Sequence, residues 1–97
     1  RAVAVQELDA SHTPRSDFSY LNIDSLRTLN IAHTRISDLA PLTGSPLQIL
    51  DIRHCSIQSL ESVRQMKFLR HLIVSPEQFS AQQLANVPIR LEVTIRN

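Results

Sequence analysis

The chain has 97 residues, enough for one small domain with a limited core. Its net charge of +1 is too weak to imply a nucleic-acid or membrane-surface partner, and three Phe, one Tyr and no Trp argue against a base-stacking platform. A single cysteine, Cys55, excludes an intrachain disulfide and a cysteine-based zinc site, and no apolar run reaches the length of a membrane span.

The first predicted element is a strand over 7–10, inside the segment VQELDASHT that starts at Val5. The second is a strand over 28–31 in LRTLNIAHT, which starts at Leu26. Its return carries Asp38 where a helix N-cap would stand and Pro41 three residues on, which predicts a 3₁₀ or helical turn. The third strand is expected over 49–52 in LQILDIRHC, which starts at Leu47. Its return, ESVRQMKF, follows Ser59 and lacks Pro and Gly, so it is the best candidate for a true helical turn. Asp17 is the matching N-cap of the first return. A fourth strand is expected over 71–74 in LRHLIVSPE, where Pro76-Glu77-Gln78-Phe79 breaks the turn pattern. A short helix follows, capped by Ser80 and ending before Pro88. Alternation from Leu91 to Ile95 then predicts a fifth strand over 92–95.

The four segments start 21, 21 and 22 residues apart, with apolar residues at their first, fourth and sixth positions. Val93 and Ile95 continue the register 21 residues beyond Leu72 and Val74. The downstream halves align as well: Asp17-Phe18-Ser19-Tyr20-Leu21 matches Asp38-Leu39-Ala40-Pro41-Leu42 and Ser59-Leu60-Glu61-Ser62-Val63. One repeat cannot form a core alone. Stacking puts Leu8, Leu29, Leu50 and Leu72 in one column, with Leu42 and Val63 closing it from the returns. Thr13, Thr34 and Cys55, at the ninth position, are expected to satisfy buried backbone groups of the turn.

On these residues the chain resembles the leucine-rich-repeat family, whose pattern is L-x-x-L-x-L-x-x-N/C-x-L. LRTLNIAHTRISDLAPL and LQILDIRHCSIQSLESV follow it. ISDLAPL is similar to internalin-type and phosphatase-regulator-type repeats. DLAPLTGSPLQILDI looks like repeat arrays of large bacterial proteins, some with serine/threonine kinase domains. Two departures stand out: the ninth-position Asn is replaced by Thr or Cys, and the eleventh position, Ile36 and Ile57, is Arg15 in the first repeat. The resemblance implies an α/β leucine-rich-repeat solenoid. This is a right-handed β-α superhelix with a parallel concave sheet of about five short strands and short helical or 3₁₀ convex returns. The expected organisation is one domain, 1–97, with repeats near 5–25, 26–46, 47–68 and 69–89 and a capping strand over 90–97. That strand is expected to be the C-terminal cap, and further N-terminal repeats or domains are expected to cover the first strand.

Residues between the inward leucines are expected on the concave face. They include the seventh-position Ser11, Ala32, Arg53 and Ser75. Arg27, Asn30, His33, Ile49, Asp51, Arg53, His54, Arg70, His71 and Ile73 form the candidate protein-binding set, a mixed-charge patch with isolated apolar anchors. The expected role is a protein-interaction module of a larger bacterial protein. The alternative is a structural spacer or scaffold attached to a kinase or other catalytic domain. His12, His33 and His54 recur every 21 residues and should stack, which would depress their pKa values, with Asp9 and Asp51 opposing. Ligands in a line fit a metal cage poorly, so no metal or cofactor is expected. Arg27, Arg53 and Arg70 are interleaved with acids, which argues against nucleic acid. With one glycine there is no phosphate-binding loop, and Asp51, His54 and Ser56 have no oxyanion hole or closed pocket, so no catalysis is expected. The lone cysteine favours a cytoplasmic over an extracellular location.

Overall fold

The computed structural model describes residues 6–14, 16–18 and 24–97. Among these, five strands form one parallel sheet in sequence order: β1 (Glu7–Asp9), β2 (Thr28–Asn30), β3 (Ile49–Asp51), β4 (His71–Val74) and β5 (Glu92–Ile95). The register is the one the period demands. Leu8 pairs with Leu29, Leu29 with Leu50, Leu50 with Leu72, and Leu72 with Val93. The first three strands end one residue earlier than expected. Ala10, Ile31 and Ile52 still donate their N–H to the O of Asn30, Asp51 and Ile73, but the chain turns directly after them. Val5, Arg15 and the Ser19-Tyr20-Leu21 stretch of the first return lie outside the described residues.

Short helical pieces connect the later strands, so the fold is α/β: a 3₁₀ turn at Ala40–Leu42, α1 (Glu61–Arg64) and α2 (Ala81–Ala85). The return of the 22-residue repeat forms α1, and the 21-residue step from β4 to β5 holds α2. Asp38 and Ser59 are not the N-caps. Leu39 and Leu60 hold those positions without a side-chain bond. The two polar side chains act one residue earlier, accepting the N–H two residues on: Asp38 Oδ1 from Ala40 at 2.9 Å and Ser59 Oγ from Glu61 at 3.1 Å. That bond turns the chain before the helix begins. Ser80 does cap α2, in a reciprocal box with Gln83.

The core lies between sheet and returns. Leu29, Leu50 and Leu72 are fully buried, beside the sixth-position Ile31, Ile52 and Val74. Ile36, Ile57, Leu42, Val63 and Met66 close the column from the other side. The column frays at both ends of the sheet. Leu8 is half-buried, and Ile95 is 55% exposed, so β5 covers the stack only in part. Among the described residues no helix is long and apolar enough to cross a membrane.

The turn after each strand carries a conformational demand that periodicity alone does not reveal. His12, His33 and His54 have φ of 62°, 60° and 59°. Few non-glycine residues tolerate that left-handed region, and His is among those that do. The fourth repeat has Pro76 at this place, and its ring fixes φ near −65°. The turn therefore survives by sliding one residue. Glu77 takes φ of 63°, and Gln78 N–H closes onto Ser75 O at 3.2 Å. Glu77 is exposed, so its strain can be tested cleanly. Relief of ~1–2 kcal/mol of left-handed strain exceeds the ~0.5–1 kcal/mol entropic cost of glycine. Glu77→Gly should therefore stabilise the protein by about 0.5–1 kcal/mol in a denaturant melt.

Candidate functional site

The register arranges the outer face of the sheet in rows. Thr28, Ile49, His71 and Glu92 form one row, and Asn30, Asp51, Ile73 and Thr94 form the next. Side chains alternate along a strand, so these point away from the leucine column. Ile49, His71 and Ile73 are half-buried. His71 Nε2 lies 2.7 Å from Glu92 Oε1 across the β4–β5 pair.

The fifth-position residues serve the turn. Asp9 Oδ1 accepts the Ser11 N–H at 3.0 Å, Asn30 Oδ1 that of Ala32 at 2.9 Å, and Asp51 Oδ1 that of Arg53 at 3.1 Å. Three successive repeats thus use the same acceptor to start the same turn. The signal was present in the sequence as Asp or Asn two residues before each turn, but polarity on a strand face looks identical whether it meets solvent or backbone. The Ser11 hydroxyl and N–H hold the Asp9 carboxyl below its usual pKa.

Asp51 is buried, and both its oxygens also bond Arg53: Nε at 2.9 and 3.0 Å and Nη2 at 2.9 Å. This bidentate pair, with Asp51 as hydrogen-bond acceptor, raises the pKa of the guanidinium. Arg53 Nη1 also donates to the main-chain O of Asn97. The seventh position departs from expectation. Ala32 and Ser75 are buried rather than on the docking face, because the chain has already begun to turn inward there.

The ninth position behaves as expected. Thr13 Oγ1 donates to Ala10 O and Thr34 Oγ1 to Ile31 O, both at 2.8 Å. Cys55 Sγ reaches back one repeat to the same Ile31 O at 2.9 Å. In the fourth repeat Gln78 takes over with a longer arm. Its Nε2 donates to Ile52 O at 2.7 Å and Cys55 O at 2.9 Å, while its Oε1 accepts from Ser75 N at 2.8 Å and Oγ at 2.9 Å. Sequence reading missed Gln78, because it stands outside the repeat pattern.

The three turn histidines do stack. Ring centroids lie 4.4 Å apart for His12–His33 and 4.3 Å for His33–His54, with planes 12° and 21° from parallel. Identical left-handed backbone at successive turns stacks the Cβ atoms at strand spacing, and the rings follow. Imidazole lone pairs lie in the ring plane, so those of stacked rings run side by side rather than converge. Among the described residues no group of three or more His, Cys, Asp or Glu could hold a metal ion.

Comparison with protein-family models, curated proteins and solved structures finds no match to this chain. The geometry therefore carries the functional argument.

Of the candidate residues, His33, His54 and Arg70 are exposed, while Arg27 is half-buried with Nη1 near Ser25 O and Leu26 O. Asn30, Asp51 and Arg53 are engaged within the fold, as described above. His33, the middle ring, has its pKa lowered, first by desolvation between its neighbours and then by charge on His54, His12 and Arg53, with Asp51 opposing. A lowered imidazole pKa means that the unfolded chain binds more protons in the window. Stability is then complete above the unfolded value of ~6.5 and falls as pH drops through the depressed folded value. An NMR titration should place His33 below the model-peptide value, and His12→Asn should move it upward by removing one cationic neighbour. A His33 pKa at or above ~6.5 would contradict the assignment.

Proposed function

We propose that this chain is a leucine-rich-repeat solenoid, a right-handed β-α superhelix with its parallel sheet on the concave side, and that it serves as a non-catalytic protein-interaction module. The observation that carries the reading is the in-register parallel sheet, which sets Ile49, His71 and Ile73 in adjacent rows on its outer face. The exposed His33–His54 stack stands at the strand ends. Half-buried apolar side chains beside imidazoles and arginines resemble the composition of interface centres. Rows fixed by backbone register are rigid, so a partner meets them with little ordering cost.

The alternative is a structural spacer inside a larger protein. The internal engagement of Asn30, Asp51 and Arg53 favours it, since groups bonded to their own fold have less to offer a partner. Capture experiments separate the two. Ile73→Asp and Ile49→Arg should abolish retention of a protein held by the wild-type chain, while Gln65→Lys and Arg35→Glu, away from the face, should not. Retention that ignores the face substitutions would leave the spacer reading.

A further inference from the structure

At the starts of β4 and β5 the outer face runs into an open cleft of about 520 Å³. The loop Lys67-Phe68-Leu69 forms one wall, and Gln48, Arg70, His71, Arg90 and Glu92 line the rest. The volume falls within the ~300–1,000 Å³ range of ligand-binding clefts. Its chemistry differs from the rest of the face. Lys67, Arg70 and Arg90 are all exposed, and among the described residues no carboxylate pairs with any of them. The lining carboxylate, Glu92, faces His71. Arg90 is steadied by a bond from Nη2 to Met66 O at 3.2 Å, which keeps its charge at the cleft. Phe68 shares this lining and is 61% exposed, whereas Met66 and Leu69 close to it in the chain are buried.

The backbone explains why this place is built so. Arg70 N–H and His71 N–H both donate to Gln48 O, at 2.8 and 3.0 Å, and Glu92 N–H donates to Arg70 O at 2.8 Å. The strand entrances are therefore fixed, and Arg70 projects from a rigid position. Three cations that outnumber the one lining carboxylate, itself set against His71, repel one another, and an exposed phenyl ring forgoes burial. One kind of ligand relieves both costs.

We propose that this cleft is the docking pocket for an acidic segment of a partner protein, with carboxylates on Lys67, Arg70 and Arg90 and an apolar side chain against Phe68. This deepens the interaction-module reading and rests on it. The planar guanidinium of Arg70 can hold a carboxylate through two parallel bonds. A single aromatic ring favours a peptide over a nucleic-acid strand, which needs successive stacking surfaces.

The probe is a short fluorescein-labelled peptide built from Asp, Glu and Leu, compared with the same peptide carrying Lys at every acidic position and with labelled single-stranded RNA. Fluorescence anisotropy of the full chain should show saturable binding of the acidic peptide alone, weakening as salt rises. Arg70→Glu and Lys67→Glu should each weaken it about tenfold or more, and Phe68→Ser several-fold, while Arg35→Glu leaves it unchanged. Arg70→Gln repeats the test with a milder change, and circular dichroism melts confirm that each variant folds. Equal binding of the Lys peptide or RNA overturns the proposal. So does affinity indifferent to Arg70, self-association through the cleft at the working concentration, or no binding of the acidic peptide. If Ile73→Asp still abolishes capture of a partner while the acidic peptide fails to bind, the docking face stands and the acidic cleft falls.

Discussion

Leu50→Ala and Leu29→Ala should each destabilise the protein by about 2–5 kcal/mol in urea melts. Both side chains are fully buried, and each is flanked in register by a leucine on either side, so truncation leaves a cavity that neighbours cannot fill. Leu8→Ala should cost less. Leu8 is half-buried in the first described strand, and part of its methyl surface already meets solvent. In stacked repeats the disturbance stays with nearest neighbours. Hydrogen exchange should therefore quicken in β2–β4 for Leu50→Ala and much less in β5. Equal losses at Leu8, Leu29 and Leu50 would contradict the argument that the column frays at its end.

Gln78→Ala should destabilise by about 2–4 kcal/mol, more than a half-buried polar residue usually would. The side chain serves four groups at once: Ile52 O, Cys55 O, Ser75 N–H and the Ser75 hydroxyl. Ser75 Oγ in turn accepts the His54 N–H at 3.3 Å, in the place where the preceding turns use a carbonyl, as in His33 N–H to Arg53 O at 2.9 Å. Removing the amide strips partners from two carbonyls and an N–H in the turn region. Such groups cost more unpaired than the bonds were worth. Gln78→Glu sharpens the test. At neutral pH its carboxylate would face the two carbonyl oxygens and repel them, which raises its folded pKa. The variant should thus regain stability as pH falls and the carboxyl becomes a donor. Denaturant melts at several pH values read this directly, and a Gln78→Ala loss below ~0.5 kcal/mol would show that water replaces the amide.

The legible part of the candidate site was its framework. Reading Leu26, Leu29 and Ile31 against Leu47, Leu50 and Ile52 was enough to place His33 over His54, and reading the latter against Leu69, Leu72 and Val74 placed Ile49 beside His71. The roles of polar residues were less legible. Asn30 and Asp51 stand on the outer face as expected, yet their oxygens bond the turn. A strand face offers a side-chain oxygen both solvent and backbone, and only the turn angle decides between them. The histidines hold a second lesson. Their repetition predicted a stack, and the structure supplies a conformational reason for the residue type: the turn needs a residue tolerant of φ near +60°.

By itself the sequence determined strand order, parallel direction and register, because a fixed period with inward leucines permits one stacking that buries them all. It also determined the turn-satisfying role of Thr34 and Cys55, since a buried backbone carbonyl must find a donor nearby. The tertiary structure decided whatever joins residues that do not share a repeat position. The slide of the last turn onto Glu77 and the reach of Gln78 into the preceding repeat follow from the ring of Pro76, which cannot adopt positive φ. The meeting of Lys67, Phe68, Arg70 and Arg90 in one cleft was decided in space, because a loop, a strand entrance and a second loop converge there under no common period.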